Sequence, residues 1–148
     1  MIPTTSEVAP GLGDVRRAAE RIAPHVHRTP VATSKTLDDL AGARCFFKCE
    51  NLQRGGAFKA RGAANAVLSL GAEEAARGVA THSSGNHGAA VALAAAARGV
   101  PAWVVMPRDS SRVKLDAVRG YGAEIVLCEP TAAAREATAR QVLEETGA

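Results

Sequence analysis

Gly78-Val79-Ala80-Thr81, Ala102-Trp103-Val104-Val105-Met106 and Glu124-Ile125-Val126-Leu127-Cys128 are three short apolar runs, and their spacing decides the fold. Each precedes a longer segment of helical character: about Asn86 to Arg98, Arg112 to Tyr121 and Thr131 to Thr146. Strands alternating with helices of that length make βαβ units, whose crossovers leave the strands parallel. The runs do not alternate polar with apolar, as expected where helices cover both faces of a sheet. The expected class is α/β, a three-layer fold on a parallel sheet, with residues 78–148 as one compact unit.

Toward the N-terminus the pattern breaks. Gly71, Glu73, Glu74 and Arg77 interrupt the apolar periodicity, which places a domain boundary between Leu70 and Gly78. Phe58 to Leu70 has helical periodicity, and Gly55-Gly56 before it marks a flexible loop. Arg44 to Cys49 reads as a strand from its bulky, β-favouring side chains. Ser34 to Ala41 reads as a short helix and Thr29-Pro30-Val31 as an extended entry. Asp14 is placed to cap a helix through about Ala23, with Val15, Ala18, Ala19 and Ile22 on its apolar face and Pro24 as its stop. Residues 14–70 hold too little strand for a core of their own. Residues 1–13, with Pro3, Pro10, Gly11 and Gly13, read as a flexible tail rather than a signal peptide. After the last helix a parallel sheet calls for another strand, and the sequence stops at Gly147-Ala148.

Composition narrows the function classes. A chain of 148 residues, 47% hydrophobic and 22% charged, matches an ordinary globular domain. Its net charge is +3 with scattered arginines, and its aromatic content is 3%, which argues against a nucleic-acid partner. No run approaches the ~18 apolar residues of a membrane span, so a cytoplasmic protein is expected. Cys45 and Cys49 would lie ~13 Å apart along a strand at ~3.3 Å per residue, beyond the reach of a disulfide. Cys128 sits in an apolar run and reads as a small buried hydrophobe. No Cys or His pair has zinc spacing, and His82 and His87 are too local for a metal site, so no metal is expected.

Two segments carry chemistry. In Gly55-Gly56-Ala57-Phe58-Lys59-Ala60-Arg61-Gly62, a glycine pair opens onto a helix whose first turn holds Lys59. That turn offers free N–H groups and a positive dipole end, a poor place for a cation. Lys59 reads either as a surface lysine or as a nucleophile toward a carbonyl, which must at times be neutral. At a reference pKa of ~10.4, fewer than about one amine in a thousand is free near neutrality. The helix end contributes only ~0.3–1 kcal/mol, so burial would have to do most of the activation. Phe58 is placed to exclude water beside it.

In Thr81-His82-Ser83-Ser84-Gly85-Asn86-His87-Gly88, a strand's carboxyl end meets a helix start, where open α/β sheets bind ligands. Hydroxyls, an amide and free N–H groups there suit a carboxylate. The alternative is plain capping by Ser83 or Ser84 with a turn at Gly85.

Together with Lys48-Cys49-Glu50-Asn51-Leu52-Gln53 and Tyr121-Gly122-Ala123-Glu124-Ile125-Val126, these segments resemble the fold-type II pyridoxal-phosphate enzymes. The resemblance is to the branch of threonine dehydratase, serine dehydratase and serine racemase. It runs from about His27 to the end and matches the N-terminal half of such enzymes. It implies that Lys59 holds pyridoxal 5'-phosphate covalently and moves the substrate's α-proton. Phe58 would pack beside the cofactor ring and Asn86 would bond its phenolic oxygen. Ser83, Asn86 and His87 would receive the substrate carboxylate, with Arg135 as an arginine for the same group. Ser84 would be a second acid/base on the cofactor's opposite face.

The implied activity is dehydration of a small hydroxy-amino acid such as serine or threonine to a 2-oxo acid and ammonia, with serine racemisation beside it. The implied partners are a small amino-acid substrate and a second copy or complementary chain. Ala57 stands where serine is also common, and Ala89 where racemases tend to have glutamine. The family's phosphate loop, its residue facing the pyridine nitrogen and its metal carboxylates would lie beyond the matched half. Residues 14–70 would then be part of the large cofactor domain and 78–148 the small domain. The alternative is a non-catalytic relative acting as a binding or interaction module. β-Replacement enzymes fit less well, since they usually carry Asn-Thr where this chain has Asn86-His87.

Overall fold

The three apolar runs pair side by side in a parallel sheet in the computed structural model, which describes residues 9–148. β3 (Val79–His82), β4 (Ala102–Pro107) and β5 (Glu124–Cys128) lie in that order, with β4 central. Val79 stands opposite Ala102, and Trp103 opposite Glu124. The expected α/β class is the one observed.

Alternate β4 side chains feed two cores, as the period of two requires. Val104 and Met106, both fully buried, face α5 (Asn86–Arg98) and α6 (Arg112–Gly120), meeting Ala92, Ala95 and Val118. Val105 faces the other way with Cys128, onto Val142 of α7 (Ala132–Thr146). Burying each such side chain contributes roughly 1.5–3 kcal/mol. Gly78 opens β3 at φ +81, and a Cβ there would stand 2.7 Å from the Pro101 carbonyl oxygen and 2.8 Å from Trp103. Only a glycine admits that approach.

The N-terminal elements are α1 (Leu12–Ile22), β1 (Val31–Ala32), α2 (Lys35–Ala41), β2 (Phe47–Lys48), α3 (Lys59–Ser69) and α4 (Ala72–Ala76). α3 packs on the outer side of α5: Ala63 and Val67 meet Ala90, Val91 and Ala94. Small side chains at that seam let the helices come close. The Arg98 guanidinium at the end of α5 donates to the carbonyls of Val67 and Leu70, closing the orphan end of α3. One buried cluster thus spans the segment 70–78.

Several local expectations are corrected. Leu12 and Gly13 belong to α1, and residues 1–8 of the expected tail lie outside the described residues. Asp14 is not the cap; Gly11 is, and the Asp14 carboxylate accepts the Gly11 N–H at 2.8 Å from inside the helix. The strand expected over 44–49 shrinks to Phe47–Lys48, which pairs antiparallel with Val31–Ala32. The Cys45 N–H is taken by the Asp38 carboxylate at 2.7 Å and Arg44 stacks on Phe46, so neither joins the ladder. A short helix, α4, occupies the segment read as an interruption, its first turn closed by Glu74 accepting the Gly71 N–H at 2.9 Å. All three cysteines are free thiols. Among the described residues no helix is long and apolar enough to cross a membrane.

Candidate active site

Lys59 is the first residue of α3, directly after Phe58 at the N-cap position. Its Nζ stands 5.1 Å from the centre of the Phe58 ring, a cation–π contact that suits an amine beside an aromatic face. Both residues line an open cleft of about 220 Å³ with Gly62, Ala63, His87 and Val91. Phe58 is 60% exposed, so within this chain it does not exclude water from Lys59, contrary to expectation. The Lys59 amine forms no ion pair among the described residues.

His87 enters from the first turn of α5. Partial burial of the ring holds its pKa below the ordinary histidine value, and the charges of Lys59 and His82 push the same way. His87 therefore gives up its proton more readily than an ordinary histidine, and its neutral ring can accept or donate one hydrogen bond in the cleft it shares with Lys59.

The loop from β3 into α5 is built tightly. The Ser83 N–H donates to the Val105 carbonyl at 3.0 Å, continuing the β3–β4 ladder. The Ser83 hydroxyl accepts the Gly85 N–H at 3.2 Å. Gly85 is the N-cap of α5, and no side chain caps the helix. Capping by Ser83 or Ser84 is thus corrected: the Ser83 hydroxyl accepts within the turn and keeps its own O–H to donate, and the first N–H groups of α5 have no side-chain acceptor among the described residues. Gly88 holds the helix start against the sheet, since a Cβ there would lie 2.8 Å from Val104 Cγ1 and 3.1 Å from the Ser83 carbonyl. Ser84 is half-buried on the same loop.

Asn86 lines a neighbouring cleft of about 210 Å³ with Gly55, Gly85, Lys114 and Tyr121. The 85–87 turn is therefore a shared wall, with His87 toward Lys59 and Asn86 toward Tyr121. Arg135 lines neither cleft. It lies on α7, across the sheet from α3 and α5, and its Nε is buried with no hydrogen-bond partner among the described residues. The structure thus groups Phe58, Lys59 and His87, sets Asn86, Ser83 and Ser84 beside them, and leaves Arg135 apart.

A polar network beneath Lys59 escaped the reading of the sequence. The Arg61 guanidinium donates from Nε to Glu50 Oε2 at 2.9 Å and from a terminal nitrogen to Oε1 at 2.7 Å. Thr29 donates its hydroxyl to the same carboxylate at 2.6 Å, and Lys48 donates to the Thr29 carbonyl at 2.7 Å. The Arg61 hydrogen bonds, with Thr29 adding to them against partial burial, hold Glu50 down to about 2. Gln53, buried, accepts the His27 N–H at 2.8 Å and donates to the His27 carbonyl at 2.9 Å. The visible signal was opposite charge at Glu50 and Arg61 on either side of the Gly55-Gly56 loop.

Fold and site together put an exposed lysine and a histidine on one cleft of an α/β unit, and comparison with known proteins gives the family. The family model for pyridoxal-phosphate dependent enzymes matches residues 22–148, and this chain belongs to that family. The chain is 54% identical over 133 residues to serine racemase of Arabidopsis thaliana, covering 90% of this chain and 40% of that protein. It is 54% identical over 138 residues to the beta-hydroxyaspartate dehydratase of Paracoccus denitrificans, covering 93% and 44%. The structure of maize serine racemase superposes with a TM-score of 0.91 at 48% identity, over 95% of this chain and 43% of that one. The chain thus spans about two fifths of the length of the curated relatives it matches. The residues present suit the cofactor of this family: a primary amine for its aldehyde, an aromatic face beside that amine, and a helix start with no side-chain cap among the described residues for anionic oxygens.

Proposed function

We propose that this chain carries the lysine half of an active site that dehydrates small hydroxy-amino acids, such as serine or threonine, to a 2-oxo acid and ammonia. Serine racemisation is the second outcome of the same site. The observation that carries the reading is Lys59 at the mouth of a cleft shared with His87, one turn of chain from the uncapped start of α5. Bound pyridoxal phosphate would supply an electrophilic carbon for the amine and an electron sink for the substrate's α-carbon. Lys59 would hold the cofactor through its amine and take the substrate's α-proton, and Phe58 would lie against the ring. Asn86 would offer an amide to the ring oxygen. Ser83, Asn86 and His87, with the free N–H groups of α5, orient the substrate carboxylate. Ser84 would be the second acid/base, returning a proton to the α-carbon in competition with loss of the β-hydroxyl. Arg135, on α7 across the sheet from this cleft, takes no part in binding the carboxylate in this reading. Two relatives matched at 54% identity bear racemase and hydroxyaspartate dehydratase names, which supports both outcomes. In this reading residues 14–70 form part of the large cofactor domain and 78–148 the small one.

The test is to mix the chain with pyridoxal phosphate, reduce with borohydride and map the adduct by peptide mass spectrometry. One adduct on Lys59, lost in Lys59→Ala, supports the reading. Assays with serine, threonine and 3-hydroxyaspartate then sort the substrate, and Ser84→Ala should remove racemisation before elimination. The exposure of Phe58 favours a second reading, a binding or interaction module without catalysis. Label scattered over surface lysines would select that one.

A further inference from the structure

We propose that Arg61 and Glu50 are positioning residues for Lys59, acting as a staple that fixes the direction in which α3 presents its first side chain. The inference rests on the role given to Lys59 above. Lys59 has little to hold it beyond its contact with the exposed Phe58 ring: it is exposed, on the first residue of a helix, after a loop containing two glycines at positive φ, Gly55 and Gly56. Such a loop leaves the helix start free to swing unless something outside the loop restrains it.

The structure supplies that restraint on both sides. Before the loop, buried Gln53 clamps the His27 backbone through its N–H and its carbonyl, and also accepts the Arg54 N–H at 2.9 Å. After it, Arg61 reaches back from the first turn of α3 and forks the Glu50 carboxylate. The same guanidinium donates to the His27 carbonyl at 3.2 Å and Thr29 Oγ1 at 3.3 Å. Both flanks of the 54–58 loop are therefore tied to one segment, residues 27–29. The Arg fork fixes angle as well as distance, which a lysine in its place would not do. Misplacing a reacting group by about 1 Å costs up to about a hundredfold in rate, so a loosened staple should be visible in the reactivity of Lys59.

Two single variants separate positioning from charge. Arg61→Gln leaves the Glu50 carboxylate uncompensated; Glu50→Gln leaves the Arg61 cation uncompensated. Acting through charge alone, the first raises and the second lowers the fraction of protonated Lys59, so their labelling rates move in opposite directions. Acting through position, both lose labelling, by about ten- to a hundredfold.

The experiment measures the rate of borohydride-trapped pyridoxal-phosphate adduct at Lys59 in the full chain, in both variants and in Val142→Ala. That last change cuts a buried contact on the far face of the sheet and serves as a destabilised control. Hydrogen exchange of residues 54–60 is followed in parallel. The expected result is loss of the Lys59 adduct in both variants, faster exchange over 54–60, and neither effect in Val142→Ala. Opposite shifts in the two variants, unchanged labelling and exchange, or an equal loss in Val142→Ala would each overturn the proposal. If the unmodified chain itself gives no Lys59 adduct, the functional reading fails instead, and exchange over 54–60 decides the staple alone. Should Arg61→Gln not fold, Arg61→Lys keeps the charge without the fork and carries the same test.

Discussion

Replacing Glu50 with glutamine should destabilise the protein near neutral pH and do so progressively less in acid. The carboxylate accepts two hydrogen bonds from Arg61 and one from Thr29, and its pKa falls from 4.5 to about 2. Taken whole, that drop corresponds to about 3 kcal/mol of stability at neutral pH. The side chains of Arg61 and Glu50 remain 33% and 19% exposed, and solvent screens the pair, so about 1–2 kcal/mol is the expected loss. The sign follows from linkage: with the folded pKa below the unfolded one, the stabilisation is present above about 4.5 and is lost as pH falls toward 2. Glutamine cannot be protonated over that range, so its stability should not share the dependence. Urea unfolding of both proteins at about pH 7 and about pH 3 measures this directly. A difference that is equal at both pH values, or absent at neutral pH, would refute the account of the Arg61–Glu50 pair as a coupled ionic contact.

Gly88→Ala should cost about 1–3 kcal/mol in thermal or urea unfolding, because its Cβ meets Val104 at 2.8 Å. Val142→Ala should cost a similar amount, roughly 1–3 kcal/mol, by opening a gap between α7 and β4. The His87 ring should titrate below the ordinary histidine value of about 6.5 by proton NMR, and Lys59→Ala should raise that midpoint by removing a neighbouring cation. Because the folded form binds that proton less readily than the unfolded one, His87 lowers stability as pH drops through this range. Iodoacetamide at neutral pH should modify Cys45 and Cys49 before Cys128, whose thiol is buried and pushed up in pKa by that burial.

How much was legible in the sequence differs along the chain. From Gly78 onward every strand and helix was placed within about two residues, because the apolar runs pack on neighbours close in sequence and glycines punctuate them. Between Arg44 and Gln53 the reading was poorer. Phe46 and Cys45 have strand composition, yet Asp38 takes the Cys45 N–H and the strand stops at two residues. Composition cannot report a competing acceptor seven positions upstream.

The candidate site shows the same division. That Lys59 opens a helix after a glycine pair, and that Ser83 to His87 joins a strand to a helix, follows from residue order alone, since both are local features of backbone and turn chemistry. Which of these residues face one another does not. His87 turns toward Lys59 while its neighbour Asn86 lines the adjoining cleft, because successive residues on a helix point about a quarter-turn apart and α3 packs on only one side of α5. The pairing of Glu50 with Arg61 across the glycine loop, and the placing of Arg135 on the far side of the sheet, are likewise products of packing between distant segments. The sequence alone determines the elements and the chemical groups they carry; only their burial against one another decides which groups meet, since side-chain contact is set by three-dimensional distance and not by separation along the chain.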